Sequence, residues 1–254
     1  MYSKNRHPAP DQGRLEHKPP LPLGAYPRSS PHGLPGFQAS IIAIGAILVQ
    51  FALNRLGAQA VAAFSAAQKI DMAATLPIMS FGITMATYAA QNYGARNPDR
   101  IRKGVLQCSL MSIGFSLAVA AANIAWRPGL IRLFVGDGEK EVVSVAQTYL
   151  NINASMYWVL ALLFVFRYTL QGLGQSVVPT FAGVMELCMR ALAAVILARY
   201  LGFAGVSMAS PAAWIGSCVP LAIAYYFTRW KLSRTGKQVF PAREEQPEPG
   251  RQAA

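Results

Sequence analysis

Six stretches of the chain, residues 33–53, 58–93, 104–126, 142–170, 179–200 and 205–228, are long, apolar and almost free of charge. A run of this kind fits lipid better than water, and in lipid each backbone N–H and C=O must be bonded within the protein. Only helices and closed barrels satisfy that demand. A barrel strand is a ten-residue segment of alternating polarity, which these stretches are not, so each predicts an α-helix. At about 20 residues per crossing, six spans use roughly 120 residues and leave room for connections and two tails. Twelve spans do not fit in 254 residues. The expected fold is all-α: a polytopic, six-transmembrane-helix bundle over residues 33–230, between a Pro-rich basic N-tail (1–32) and a basic C-tail (231–254).

The charges agree with that division. Hydrophobic residues make up 53% and charged residues 13% of the chain, against roughly 45–50% and 25% in soluble domains. The net charge of +12 is gathered between the apolar runs. The N-tail, the 96–103 connection and the C-tail together hold fifteen Lys and Arg, and the three opposite connections hold five. This positive-inside bias predicts that both termini are cytoplasmic. Attraction to anionic headgroups explains the basic tails without a nucleic-acid partner. Trp126, Tyr200 and Trp230 fall at span ends, where amphipathic rings prefer the interface. The N-tail has no apolar core of the length a signal peptide needs and reads as a disordered, uncleaved segment.

Several kinds of chemistry find no support in the residues. His7, His17 and His32 all precede the first span, so the hydrophobic body has no imidazole for acid–base work or metal binding. Cys108, Cys188 and Cys218 sit in apolar surroundings without paired ligand spacing and read as small packing residues. No G-x-S-x-G, H-E-x-x-H or P-loop pattern occurs, so the expectation is that the protein is not an enzyme and carries neither metal nor cofactor.

What remains to be explained is the charge inside the spans: Lys69, Asp71, Arg167, Glu186 and Arg190. A charge at bilayer depth costs about 2.5–3.5 kcal/mol on insertion scales and normally faces protein or water. Glu186 and Arg190, four apart, share a helix face and can pair, either to fix packing or to handle an ion or substrate. Lys69 and Asp71, two apart, point to nearly opposite sides and need separate partners. For Asp71 the choice lies between the central cavity, where it takes a cation or proton, and a hydrated position near the outer interface. Arg167 lies near the cytoplasmic end of its span, where it can snorkel to water or bond carbonyls at the Gly172 turn. In the first span Gln38 and Gln50 are the main polar side chains. Pro77 and Pro220 mark possible helix bends. Alanines at 58, 62 and 66 and the trio Gly114, Ala118 and Ala122 repeat at four-residue spacing, which helix packing uses but which is also common in membrane helices at large.

The order of several motifs is familiar. Gly33-Leu34-Pro35-Gly36-Phe37-Gln38 opens the first span. The second carries Ala62-Ala63-Phe64-Ser65-Ala66-Ala67-Gln68-Lys69-Ile70, Gly82-Ile83-Thr84-Met85-Ala86-Thr87-Tyr88 and Gln91-Asn92-Tyr93-Gly94-Ala95. Phe166-Arg167-Tyr168-Thr169-Leu170-Gln171-Gly172-Leu173-Gly174 and Ala182-Gly183-Val184-Met185-Glu186-Leu187, with Arg190, follow. Over residues 33 to 235 the chain resembles the C-terminal half, helices seven to twelve, of a bacterial multidrug and toxic compound extrusion (MATE) transporter. The resemblance implies one lobe of a two-lobed secondary antiporter in the cell membrane, exporting cationic or amphipathic drugs in exchange for Na⁺ or H⁺. Activity would then need a second six-helix lobe, as a separate chain or by self-association. Some MATE branches carry an acidic residue in the seventh helix; residues 33–53 have none, so the coupling ion stays open between Na⁺ and H⁺. The competing readings are an inactive remnant or membrane interaction protein, and a lipid-linked oligosaccharide flippase of the wider superfamily, which a strongly basic cavity would favour.

Overall fold

The computed structural model describes residues 33–136 and 140–239, without the side chains of residues 33–39, 41–42, 127–128 and 233–239. The N-tail, its histidines and the residues from 240 onward lie outside that description. Eight α-helices account for nearly all of the described chain: α1 Gly33–Asn54, α2 Ala58–Gly94, α3 Pro98–Val135, α4 Lys140–Ala154, α5 Tyr157–Gly172, α6 Val177–Leu192, α7 Ala198–Ser207 and α8 Ala209–Val239. A π-helical turn, Ala193–Leu197, joins α6 to α7. The described residues contain no β-strand.

Helix ends follow local chemistry. The polar run after residue 95 is a tight turn rather than a loop: Asn97 caps α3 by accepting a bond from the Arg100 N–H at 3.4 Å, and Pro98 occupies the first helical position. The helix therefore begins six residues before the expected span and continues to Val135, past its predicted end at Trp126.

The fourth apolar stretch is not one rod. It breaks at Ser155–Met156 into α4 and α5, bent by 48°. No proline causes this. The Ser155 hydroxyl donates to the Ile152 carbonyl at 2.8 Å and the Asn153 amide to the Tyr149 carbonyl at 3.0 Å, competition that weakens a helix from within. Pro77 and Pro220, marked in the sequence as possible bends, lie inside α2 and α8. A further break lies at Gly202, whose φ of 56° and ψ of −128° suit a residue without a Cβ. The last break falls at Met208. Pro211 has no N–H to offer the Ser207 carbonyl, and the buried Asn153 amide donates to that oxygen instead at 3.3 Å.

Among the described residues three helices are long and apolar enough to cross a membrane, Ala58–Gly94, Pro98–Trp126 and Val177–Ser207, and the bent α4–α5 pair makes a fourth. The described apolar part of α1 is shorter, Ala43–Asn54. α2 is the central element, packed against α5, α3 and α4; α8 packs on α6 and α5, and α1 lies chiefly on α6.

The buried side chains form two clusters. One joins the second half of α2, α3, α5 and α8 around Ile78, Leu163, Leu170 and Leu221. The other joins the end of α1, the start of α2, α4 and the π turn around Leu53, Ala67, Leu150 and Ala194. Large apolar side chains such as Ile47, Phe51, Leu110, Leu133 and Phe227 point outward, as lipid-facing positions do. Trp126, Tyr200 and Trp230 are also exposed. The four-residue stripes lie mostly outward: Ala58, Ala62, Gly114 and Ala118 are exposed and Ala122 half-buried, while Ala66 is buried. Close approach occurs elsewhere, at Gly172, where an added Cβ would collide with the Ala86 carbonyl of α2.

Candidate functional site: two polar clusters within the bundle

Asp71 lies at the seam between the two apolar clusters, since its neighbours on α2, Ile70 and Ala74, belong to different ones. Only 8% of its surface is exposed. The helical repeat turns Lys69 the other way, outward, with its ammonium 5.7 Å from the centre of the Phe134 ring on α3. Asp71 is met by hydroxyls instead. Tyr157, the first residue of α5, donates to its Oδ1 at 2.6 Å, and the Tyr149 hydroxyl of α4 lies near the same carboxyl. Asn123 of α3 donates to the Tyr157 oxygen at 3.4 Å. The α4–α5 break brings these two tyrosines, eight residues apart, to one carboxyl. Asp71 is thus buried, not hydrated at an outer interface, and hydrogen-bonded donors surround it.

The second cluster is an ion triad. Arg190 Nη2 of α6 lies 3.1 Å from Glu186 Oε1 on the same helix, the geometry that four-residue spacing permits. Arg167 Nη2 of α5 takes the other oxygen, Oε2, at 2.6 Å and donates to the Ser217 hydroxyl of α8 at 2.9 Å. Arg167 therefore neither snorkels nor bonds the Gly172 turn, as its position near the span end suggested; the carboxylate across the α5–α6 interface is the stronger partner. These side chains are 14–20% exposed. The stem of Arg190 lies against Gly45 of α1, so the triad ties α1, α5, α6 and α8 together. The two clusters approach each other where Arg190 comes within electrostatic reach of Tyr149. Their formal charges, two positive and two negative, cancel.

The remaining predicted residues stand apart. Gln50 is exposed and donates to Asn54 on its own helix at 3.1 Å. The Gln38 side chain lies outside the described residues. Pro77 is exposed and Pro220 half-buried, within continuous helices. Cys188 is exposed, while Cys108 and Cys218 are partly buried as free thiols. The sequence reading assigned no role to Tyr149, Tyr157 or Asn123. A usable signal existed, because a buried tyrosine hydroxyl needs a partner and Asp71 needed donors.

The MatE family model matches residues 36–196. The chain is 26% identical over 204 residues to the probable multidrug resistance protein YpnP of Bacillus subtilis (strain 168), covering 80% of this chain and 45% of that protein. It is 23% identical to the probable multidrug resistance protein YoeA of the same organism, covering 75% and 41%. Among solved structures, an outward-facing multidrug resistance MATE family transporter of the MOP superfamily superposes with a TM-score of 0.70 at 19% identity, over 79% of this chain and 45% of that one. The Vibrio cholerae MATE transporter VcmN in its bent form gives 0.69 at 18% identity, over 82% and 47%. The chain spans about half the length of the relatives it matches, in accord with the C-terminal half that its motifs resemble. With the family match covering most of the helical bundle and these structures sharing its fold, the chain is a polytopic membrane protein that belongs to the MatE (multidrug and toxic compound extrusion) family.

Proposed function

We propose that the chain provides one six-helix lobe of a drug-efflux antiporter in the plasma membrane, exporting cationic or amphipathic small molecules in exchange for Na⁺ or H⁺. In this reading both termini face the cytoplasm and a second lobe, joined to this one or separate, completes the substrate cavity. Family membership and relatives carrying multidrug resistance names support efflux. One observation carries the cation coupling: an acidic side chain buried within a membrane helix, bonded to a tyrosine hydroxyl and not to a guanidinium. Such a group gains when a cation or proton neutralises it. Anionic lipid-linked sugars are a poorer fit. Of the three intramembrane cations, Arg167 and Arg190 already share Glu186, and Lys69 faces outward over Phe134.

The test is transport by vesicles containing this chain together with a complementary six-helix half. A Na⁺ or pH gradient should drive export of a cationic dye. The chain without a second lobe should export little or none, because half the cavity is missing. Failure of the two-lobed assembly under either gradient would overturn the antiport reading and leave a lobe that packs in the membrane without transporting.

A further inference from the structure

The end of the bundle at which α3 begins and α8 finishes is unevenly charged. Arg100, Arg102 and Lys103 lie in the first turns of α3, and Arg229 and Lys231 in the second half of α8, with Asp99 the one acid beside them. Among the described residues none of these five cations forms an ion pair. The α5–α6 turn reaches the same place, where Gln175 donates to the Thr228 hydroxyl at 2.9 Å, yet residues 172–179 carry no charge. We propose that the basic arc between α3 and α8 binds one anionic phospholipid, its phosphate held by Arg102, Arg229 and the Tyr225 hydroxyl. This is a fixed site on the folded bundle, separate from the diffuse attraction of the tails.

The two helix ends meet. Val105 and Cys108 of α3 share one apolar cluster with Leu221, Tyr225 and Leu232 of α8. Tyr225 is held firmly there, 6% exposed, its ring stacked on Phe166 of α5 at 5.3 Å and edge-on to Tyr226 at 5.6 Å. A tyrosine so enclosed normally gives its hydroxyl a partner. Among the described residues this hydroxyl has none, and it is not sealed in, unlike the enclosed orphans Ser112 Oγ, Asn153 Oδ1 and Arg167 Nε. Its oxygen therefore reaches the surface, with Arg102 and Arg229 both within electrostatic reach. Arg229 follows Tyr225 by four residues and shares its face of α8, while the exposed Arg102 comes from α3.

A hydroxyl between two guanidinium groups suits a phosphodiester, whose oxygens accept the hydrogens offered and whose charge the arginines neutralise. The neighbouring charges select the headgroup. Arg100, Lys103 and Lys231 flank the site, so the cation of a choline or ethanolamine headgroup meets like charge, whereas a glycerol headgroup does not. Deeper along the same helices Leu106 and Leu110, four and eight residues beyond Arg102, and Ile223 of α8 are exposed and offer the acyl chains an apolar wall. A free phosphate would leave that wall unused. In the orientation proposed above the lipid belongs to the cytoplasmic leaflet; binding itself depends neither on that orientation nor on transport.

Native mass spectrometry of the full chain, released from mixed micelles of dioleoyl phosphatidylglycerol and dioleoyl phosphatidylcholine, counts the lipids that stay bound. Wild type should retain one phosphatidylglycerol in preference to phosphatidylcholine. Arg102→Gln combined with Arg229→Gln should lower that retention about 25-fold, roughly fivefold for each basic side chain near an anionic headgroup. Tyr225→Phe, which keeps the stack on Phe166 and every charge, should lower it about fivefold, the scale of one hydrogen bond. Lys237→Gln combined with Arg243→Gln removes the same charge from the C-tail and should change nothing. Circular dichroism establishes that the helices are retained, and Tyr225→Phe decides the matter if the arginine pair fails to fold. Equal retention of the two lipids, or an equal loss in the tail variant, would overturn the proposal, because the attraction would then be diffuse. So would an unaffected Tyr225→Phe, or displacement of the lipid by inorganic phosphate, which would make the site one for a free anion.

Discussion

Glu186 is the residue on which the triad depends, since both of its oxygens are used, one by Arg167 and one by Arg190. Replacing it with Gln would leave two guanidinium groups without a counter-charge. Arg190→Met leaves the shorter Arg167–Glu186 pair in place. We therefore expect Glu186→Gln to lose about 3 kcal/mol, the low end for a stranded buried charge because the triad keeps some exposure. Arg190→Met should lose about 1.5 kcal/mol, as for one hydrogen bond to a charged group. Thermal unfolding in detergent, followed by circular dichroism, ranks the two, and equal losses would contradict the shared-carboxylate geometry. At this scale the sequence disclosed the Glu186–Arg190 pairing, because both residues lie on one helix at fixed spacing. It did not disclose Arg167, which arrives from a different helix, or the tyrosines around Asp71.

Among the elements, the behaviour of α4–α5 was least legible. Its composition is that of one long span, and the break at Ser155–Met156 depends on side-chain competition that a hydropathy pattern does not register. The prolines marked as possible bends, Pro77 and Pro220, lie inside α2 and α8, away from this break. Two glycines set contacts and direction. Gly172→Ala forces a Cβ into the Ala86 carbonyl, and because backbone rather than a flexible side chain is in the way, it should cost about 1–3 kcal/mol. Gly202→Ala meets open space, but φ 56° with ψ −128° lies outside the left-handed region that L residues tolerate, so it too should cost about 1–3 kcal/mol. Denaturant titration of both variants measures the losses. The exposed Gly114 serves as control, and Gly114→Ala should be neutral or slightly stabilising because the helix gains propensity.

For the whole molecule the prediction concerns orientation. With the native cysteines replaced by Ser, Asp99→Cys should be protected from a membrane-impermeant thiol reagent in intact cells. Gly138→Cys should be labelled, and the reverse pattern would contradict the positive-inside assignment. By itself the sequence determined the membrane class, the helical architecture and the family, because hydrophobicity sums locally along a segment and needs no knowledge of neighbouring segments. Tertiary structure alone decided which charges met. Each residue turns a helix by about 100°, so a partner on another helix depends on how both are rotated and where each is broken. Asp71 could be recognised as a charge needing company from its place in an apolar run. That its company is Tyr149 and Tyr157, brought together across the α4–α5 break at the seam of two apolar clusters, was decided by packing.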